Sequence, residues 1–237
     1  MIDGQPDSFD VDPLWDQQGN HESYQERAVR PHHDFGFAAS QFTGGDPGEI
    51  GGFIFRDRQP AYYADRVGQW TLDSVLQASG KLVFRSAGAD SAVLLGWFHG
   101  ERKRNKQTAD HEISQTDYLG ILIEGPSRVG HYFRAAYSTA AGTHDAPTFE
   151  GTKQSRPVVL PGDSIHHWTV HYDPKAAHSR GQIAVSLDGM EHFLDLREES
   201  KREGHPLTGS VCSIFSRVAT MWNCIWTMSR TRSNPGR

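Results

Sequence analysis

From residue 49 onward, apolar and polar residues alternate with a period of two, interrupted by glycine, proline and Asp-Gly turns. Segment 50–55 is a short apolar run, and Pro60-Ala-Tyr-Tyr-Ala is a turn leading into another. Ala78-Ser-Gly-Lys-Leu-Val-Phe-Arg reads as a strand after a loop. Residues 92–98 are continuously apolar and of strand length, which predicts a central strand covered on both faces. Segments 118–124 and 128–138, joined by Gly125-Pro-Ser, predict a hairpin. In its second arm Val129, Phe133, Ala135 and Tyr137 point one way, and Arg128, Tyr132, Arg134 and Ser138 the other. A loop over 143–152 and the run Pro157-Val-Val-Leu lead to the turn Pro161-Gly-Asp. In the strand that follows, Trp168, Val170 and Tyr172 share one face, with His167, Thr169 and His171 on the other. Segment 182–187 then meets Asp188-Gly189, the preferred two-residue hairpin turn, and 191–196 returns. About ten strands at this spacing, with no sustained helical period and no repeat, predict an all-β antiparallel sandwich.

The pattern also divides the chain. Residues 1–48 are polar and broken by Pro6, Pro13, Pro31 and several glycines; they read as an extended lead-in, with Trp15, Phe35 and Phe37 as anchors onto the domain. Residues 49–211 form the sandwich, and nothing suggests a second domain. Residues 212–237 fall out of step. Met and Trp have single codons, so starting each codon one base early from Met221 forces Val, Glu and Leu at positions 222, 223 and 224. Tyr or His follows, then Leu or Met, then a forced Asp at position 227. Upstream codons permit Phe-Asp-Ile-Phe-Thr-Ser-Gly-Asp-Asn, so the shifted reading is a Gly/Asn turn followed by an alternating strand. The expectation is a frameshift near Val211, with 212–237 replacing the last strand; the alternative is a genuine basic tail.

A chain of 237 residues is long enough to bury a substantial core. Its formal net charge of −5 argues against a nucleic-acid surface. The run Glu101-Arg-Lys-Arg-Asn-Lys reads as a solvated loop, because it is short and has acidic neighbours. The two cysteines, Cys212 and Cys224, both lie in the out-of-step tail. The body therefore has no disulfide, no thiolate nucleophile and no cysteine zinc site. No apolar run is long enough for a membrane span. The chain opens with neither a basic nor an apolar leader region, so no signal peptide is legible, and an exported full-length form stays open.

Several short motifs share one resemblance. Asp34-Phe-Gly-Phe, Pro47-Gly-Glu-Ile-Gly-Gly, Pro60-Ala-Tyr-Tyr-Ala, Ala78-Ser-Gly, Leu95-Gly-Trp-Phe and His167-Trp-Thr-Val-His-Tyr-Asp-Pro together resemble bacterial domains of the concanavalin A-like lectin/glucanase (LamG-like) type. Those domains close with a strand of the form Glu-Leu-Tyr-Leu-Asp-Asp, which the shifted tail encodes. The resemblance covers most of the chain and implies a jelly roll whose concave sheet meets ligands.

Candidate chemistry is sparse. The glucanases of that superfamily use paired carboxylates on one strand, and this chain has no such motif. Its nearest carboxylate groupings are Asp188 with Glu191 and Glu191 with Asp195, the first straddling a turn. There is no nucleophile elbow, phosphate loop or dinucleotide fingerprint. What remains is aromatic and polar material on strands, suited to stacking on sugar faces and holding hydroxyls. The candidate ligand-binding residues are Trp97, His99, Tyr118, Tyr132 and Arg134, with Tyr132 and Arg134 leading because alternation turns both away from the core. Trp97 and Tyr118 have packing as their competing role. Asp34, Glu49 and Asp188 are candidates for a structural calcium, although no spacing demands one; no other cofactor is expected. The expectation is a non-catalytic carbohydrate-binding or adhesive domain with a polysaccharide or glycan partner. The alternative is a diverged glycoside hydrolase or polysaccharide lyase.

Overall fold

The computed structural model describes residues 11–20, 33–45, 47–54, 61–86, 91–99, 117–127, 130–145, 158–203, 207–216 and 222–229. The charge run 101–106 and the turn residues Arg128 and Val129 lie outside them. The strands are β1 (Asp16–Gln18), β2 (Asp34–Ala38), β3 (Glu49–Ile54), β4 (Ala61–Trp70), β5 (Leu76–Ser86), β6 (Ser91–Phe98) and β7 (Tyr118–Ser127). They continue with β8 (Gly130–Thr139), β9 (Gly142–Asp145), β10 (Ile165–Asp173), β11 (Gln182–Leu187), β12 (Met190–Asp195), β13 (Leu207–Ser216) and β14 (Trp222–Ser229).

Two seven-stranded sheets result. Sheet A runs β1-β4-β13-β6-β7-β8-β9, and sheet B runs β12-β11-β10-β5-β14-β3-β2. Neighbouring strands pair antiparallel throughout. The protein is an all-β jelly-roll sandwich. Sheet A sends Tyr63, Val93, Leu95, Trp97, Leu119, Ile121, Ile123, Phe133, Ala135 and Tyr137 into the space between the sheets. Sheet B answers with Ile50, Ile54, Leu82, Phe84, Trp168, Val170, Tyr172, Ile183 and Val185. Each of these strands contributes every second residue, which is the period its sequence carries.

β6 shows why a strand can lose that alternation. It lies between β13 and β7. Val93 and Leu95 face sheet B, while Leu94 and Phe98 join a second apolar cluster on the other side of sheet A. Both faces are buried, so both are apolar. Two glycines meet there. Gly96 pairs with Gly120 across β6 and β7, and a Cβ on Gly96 would stand 2.2 Å from the Leu119 carbonyl oxygen. The strands approach too closely for any side chain at that point.

The hairpin from β11 to β12 closes at Asp188 and Gly189, whose φ angles are +51° and +84°. Both values are left-handed, as a two-residue turn of this kind requires, and they explain the Asp-Gly pair. The β7–β8 hairpin closes later than its sequence suggests. Instead of turning at Gly125-Pro-Ser, β7 continues through an irregularity between Glu124 and Ser127, with Ser127 opposite Gly130. Pro126 cannot donate to the ladder and sits in that irregularity.

Two other expectations change in detail. The loop expected at 143–152 begins with β9, which pairs with β8. In the apolar run read at 157–160, Val159 forms an isolated bridge to the buried His131.

Within 1–48, β1 pairs with β4 and β2 with β3. The Trp15 ring lies 5.4 Å from that of Tyr63, and the Tyr63 hydroxyl donates to Asp12 at 3.2 Å. Burial, and then the Asp12 carboxylate, push the Tyr63 phenol above its ordinary range. Phe35 is buried and Phe37 packs against the core. Beyond residue 211, β13 pairs with β4 and β6, and β14 lies between β3 and β5.

Candidate functional site

The outer face of sheet A gathers most of the candidate residues. Cross-strand register places side chains in rows across neighbouring strands. Ala92, Glu124 and Tyr132 form one row, and Leu94, Leu122 and Arg134 the next. Gly96, Gly120 and Ala136 form a third, with Phe98, Tyr118 and Ser138 beyond it. From β4, Tyr62 and Ala64 belong to the same face, and the Tyr62 ring lies 5.2 Å from Phe98.

Burial divides this face. Ala64, Leu94, Phe98, Tyr118 and Ala136 are buried together as the second apolar cluster. Tyr132, Arg134, Leu122 and Glu124 are only partly buried, and they form the open rim of the face on β7 and β8. Arg134 and Glu124 are ion-paired, with side-chain exposures of 17% and 41%. Each lies one row from the other's direct partner, a diagonal within reach of long side chains. The ion pair anchors the Arg134 guanidinium, and Tyr132, two residues earlier on β8, lies on the same face.

The five candidates do not all meet. Tyr132 and Arg134 share the rim. Tyr118 is on the same face but sits 8% exposed inside the apolar cluster. Trp97 points the opposite way and is part of the core between the sheets, because it has the other parity in β6. A ring at that position cannot reach a ligand on the Tyr132 side. His99 follows the end of β6, where its N–H donates to the Asp117 carbonyl at 2.9 Å. The sequence pointed to Tyr132 and Arg134 by alternation. It missed Glu124 and Leu122, whose signal was the hairpin register.

On the outer face of sheet A and on β12, the described candidate carboxylates stand apart. Asp16, opposite Ala64 on β1, accepts from Arg66 at 3.2 Å and lies on the same outer face as Glu124. Four strand spacings separate β1 from β7, or about 19 Å. Paired glycosidase acids stand about 5–9.5 Å apart. On β12, Glu191 and Asp195 are four residues apart, about 13 Å along a strand. Asp195 accepts from Gln182 at 2.7 Å and from Arg180 at 3.3 Å.

The three calcium candidates are likewise apart, which corrects the idea that they form one site. Glu49 is fully buried and accepts from the Ser40 hydroxyl and from the Phe42 and Thr43 N–H groups, each at 3.1 Å. The Thr43 hydroxyl donates to it at 3.0 Å. Asp34 sits at the far end of the β2–β3 ladder, opposite Phe53. Asp188 is in the β11–β12 turn, 2.7 Å from His166 Nδ1 and accepting from the His167 N–H at 2.8 Å. Among the described residues no three His, Cys, Asp or Glu side chains converge as a metal site. No helix of the described residues is long and apolar enough to cross a membrane.

Comparison with known proteins adds to the fold. No family model matches the chain, and no curated protein sequence does. Among solved structures, a mixed-linkage-glucan GH16 protein of Bacteroides ovatus, in complex with a G4G4G3G product, aligns with a TM-score of 0.52 and 8% identity. That alignment covers 95% of this chain and 98% of the other. An alginate lyase of Pseudomonas aeruginosa aligns with a TM-score of 0.47 and 11% identity over 82% of this chain and 86% of that one. The carbohydrate recognition domain of Emp47p aligns with a TM-score of 0.42 and 14% identity over 97% and 95%. At 8% identity, what the chain shares with the Bacteroides ovatus protein is the sandwich fold.

Proposed function

We propose that the protein is a non-catalytic carbohydrate-binding sandwich whose ligand rests on the β7–β8 rim of sheet A. One observation carries this reading: Tyr132 and the Glu124-braced Arg134 are partly exposed side by side on an outer sheet face. A pyranose presents an apolar C–H face, which suits an aromatic ring, and a ring of hydroxyls, which suits a guanidinium fork. Leu122, opposite Arg134 on β7, adds an apolar side chain to the same rim. The separation of Asp16 from Glu124 supports binding over hydrolysis, because these two acids stand about 19 Å apart, outside the working distance of a glycosidase pair. The Bacteroides ovatus protein of the same fold was solved with a glucan product, which makes oligosaccharides a natural first ligand class to test.

The test is a glycan array probed with the whole chain, followed by titration of the best ligand. Tyr132→Ala and Arg134→Ala are each expected to weaken binding about tenfold, equivalent to about 1.4 kcal/mol. Phe193→Ala, on exposed β12 of sheet B, is expected to change nothing. Silence across the array, or equal binding by all three variants, overturns the proposal. Release of reducing ends or of unsaturated uronates from a bound polysaccharide would establish an enzyme instead.

A further inference from the structure

We infer that the slot between β3 and β5 is built for a strand encoded one base earlier than the in-frame reading of Trp222–Ser229. This goes beyond the ligand-binding proposal and does not depend on it. The slot is central in sheet B, so whatever fills it is paired on both sides. Its register defines what each position requires. Position 222 lies opposite Ile54. Position 224 lies opposite Phe84, and position 226 lies between Ile50 and Leu82. Ile50, Ile54, Leu82 and Phe84 all belong to the inter-sheet core. Positions 223, 225 and 227 have the other parity. They lie beside Phe53, which is 39% exposed, beside Val83, and opposite Lys81.

The shifted reading meets those requirements one by one. It forces Val at 222 and Leu at 224, and gives Leu or Met at 226, so the three core positions are aliphatic or thioether and suited to sandwich packing. It forces Glu at 223 and gives Tyr or His at 225, next to the β-branched Val83. It forces Asp at 227, directly opposite Lys81, an opposite-charge cross-strand pair. The in-frame reading offers Trp, Cys and Trp at the core positions, and Ile and Thr at 225 and 227. Two of those three residues are tryptophan, bulkier than the aliphatic side chains of the shifted reading. The in-frame reading would also leave Lys81 without a cross-strand acid at 227.

The middle base of each shifted codon is the first base of the in-frame codon, so the alternation is common to both readings, and what distinguishes the shifted one is the aliphatic or thioether character at 222, 224 and 226 and the acid opposite Lys81. Three of these residues, at 222, 224 and 227, are fixed by the genetic code, and together they point to a strand that selection shaped.

Sequencing the locus across codon 211 and peptide mapping of the natural protein test this. The expected result is a shifted-frame peptide over the β14 positions. An in-frame locus, or recovery of the tryptic peptide Val-Ala-Thr-Met-Trp-Asn-Cys-Ile-Trp-Thr-Met-Ser-Arg, overturns the inference. A second arm reads the slot itself. The full chain carrying Trp222→Val, Asn223→Glu, Cys224→Leu, Ile225→Tyr, Trp226→Leu and Thr227→Asp is expected to give more soluble protein and a higher urea midpoint than the unsubstituted chain. Equal or lower values count against it. Neither arm reads glycan binding, so its outcome stays separate from that of the binding proposal.

Discussion

At the scale of single residues, buried polar groups define the strongest constraints. Glu49 is enclosed by the loop from Ser40 to Thr43, which turns four donors onto its two oxygens. Glu49→Gln is expected to cost about 1.5–3 kcal/mol, read from urea unfolding, because an amide cannot accept at both ends. Asp188 titrates below its ordinary range: burial raises it, but the hydrogen bonds from His166 and the His167 N–H outweigh that. Its contribution is therefore complete above pH 3.8 and is lost as pH falls through the depressed folded value. Asp188→Asn keeps a residue tolerant of φ +51°, so the expected change is loss of that acid-side slope with the hairpin intact. His192 behaves oppositely in sign of charge. Burial pushes its imidazole below 6.5, so the unfolded chain takes the proton first and stability declines as pH drops below 6.5. His192→Gln should flatten that part of a thermal-melting series taken from pH 7 to acid.

At the scale of elements, alternation and turn chemistry were the legible signals. Trp168, Val170 and Tyr172 alternate with His167, Thr169 and His171 in sequence, and β10 buries the first set and exposes the second. The Asp188-Gly189 pair announced its turn because few residues accept two left-handed positions in succession. Pairing across distant segments left no such mark. The approach of β6 to β7 at Gly96 and Gly120 is a property of two strands, not of either one. Gly96→Ala and Gly120→Ala should each destabilise by at least about 1–3 kcal/mol, through a Cβ forced against a neighbouring carbonyl. A urea midpoint within error of the unsubstituted chain in either case would contradict that close approach.

At the scale of the whole molecule, the two sheets bury one large core between them and a second apolar cluster on the outer side of sheet A. Trp168 is among the largest fully buried side chains, and Trp168→Ala is expected to cost about 3–5 kcal/mol in a denaturant titration. Sequence alone determined the fold class, the strand faces and the Tyr132/Arg134 pairing of directions, because a period of two is local and each strand records which of its faces is buried. Only the tertiary structure decided which strands became neighbours. That choice set Trp97 into the core and Tyr118 into the second cluster, and brought Glu124 from β7 beside Arg134 on β8. It also kept Asp34, Glu49 and Asp188 in separate parts of the sandwich. The physical reason is that alternation specifies two sides for each strand, whereas strand order and register depend on contacts between residues far apart in the chain.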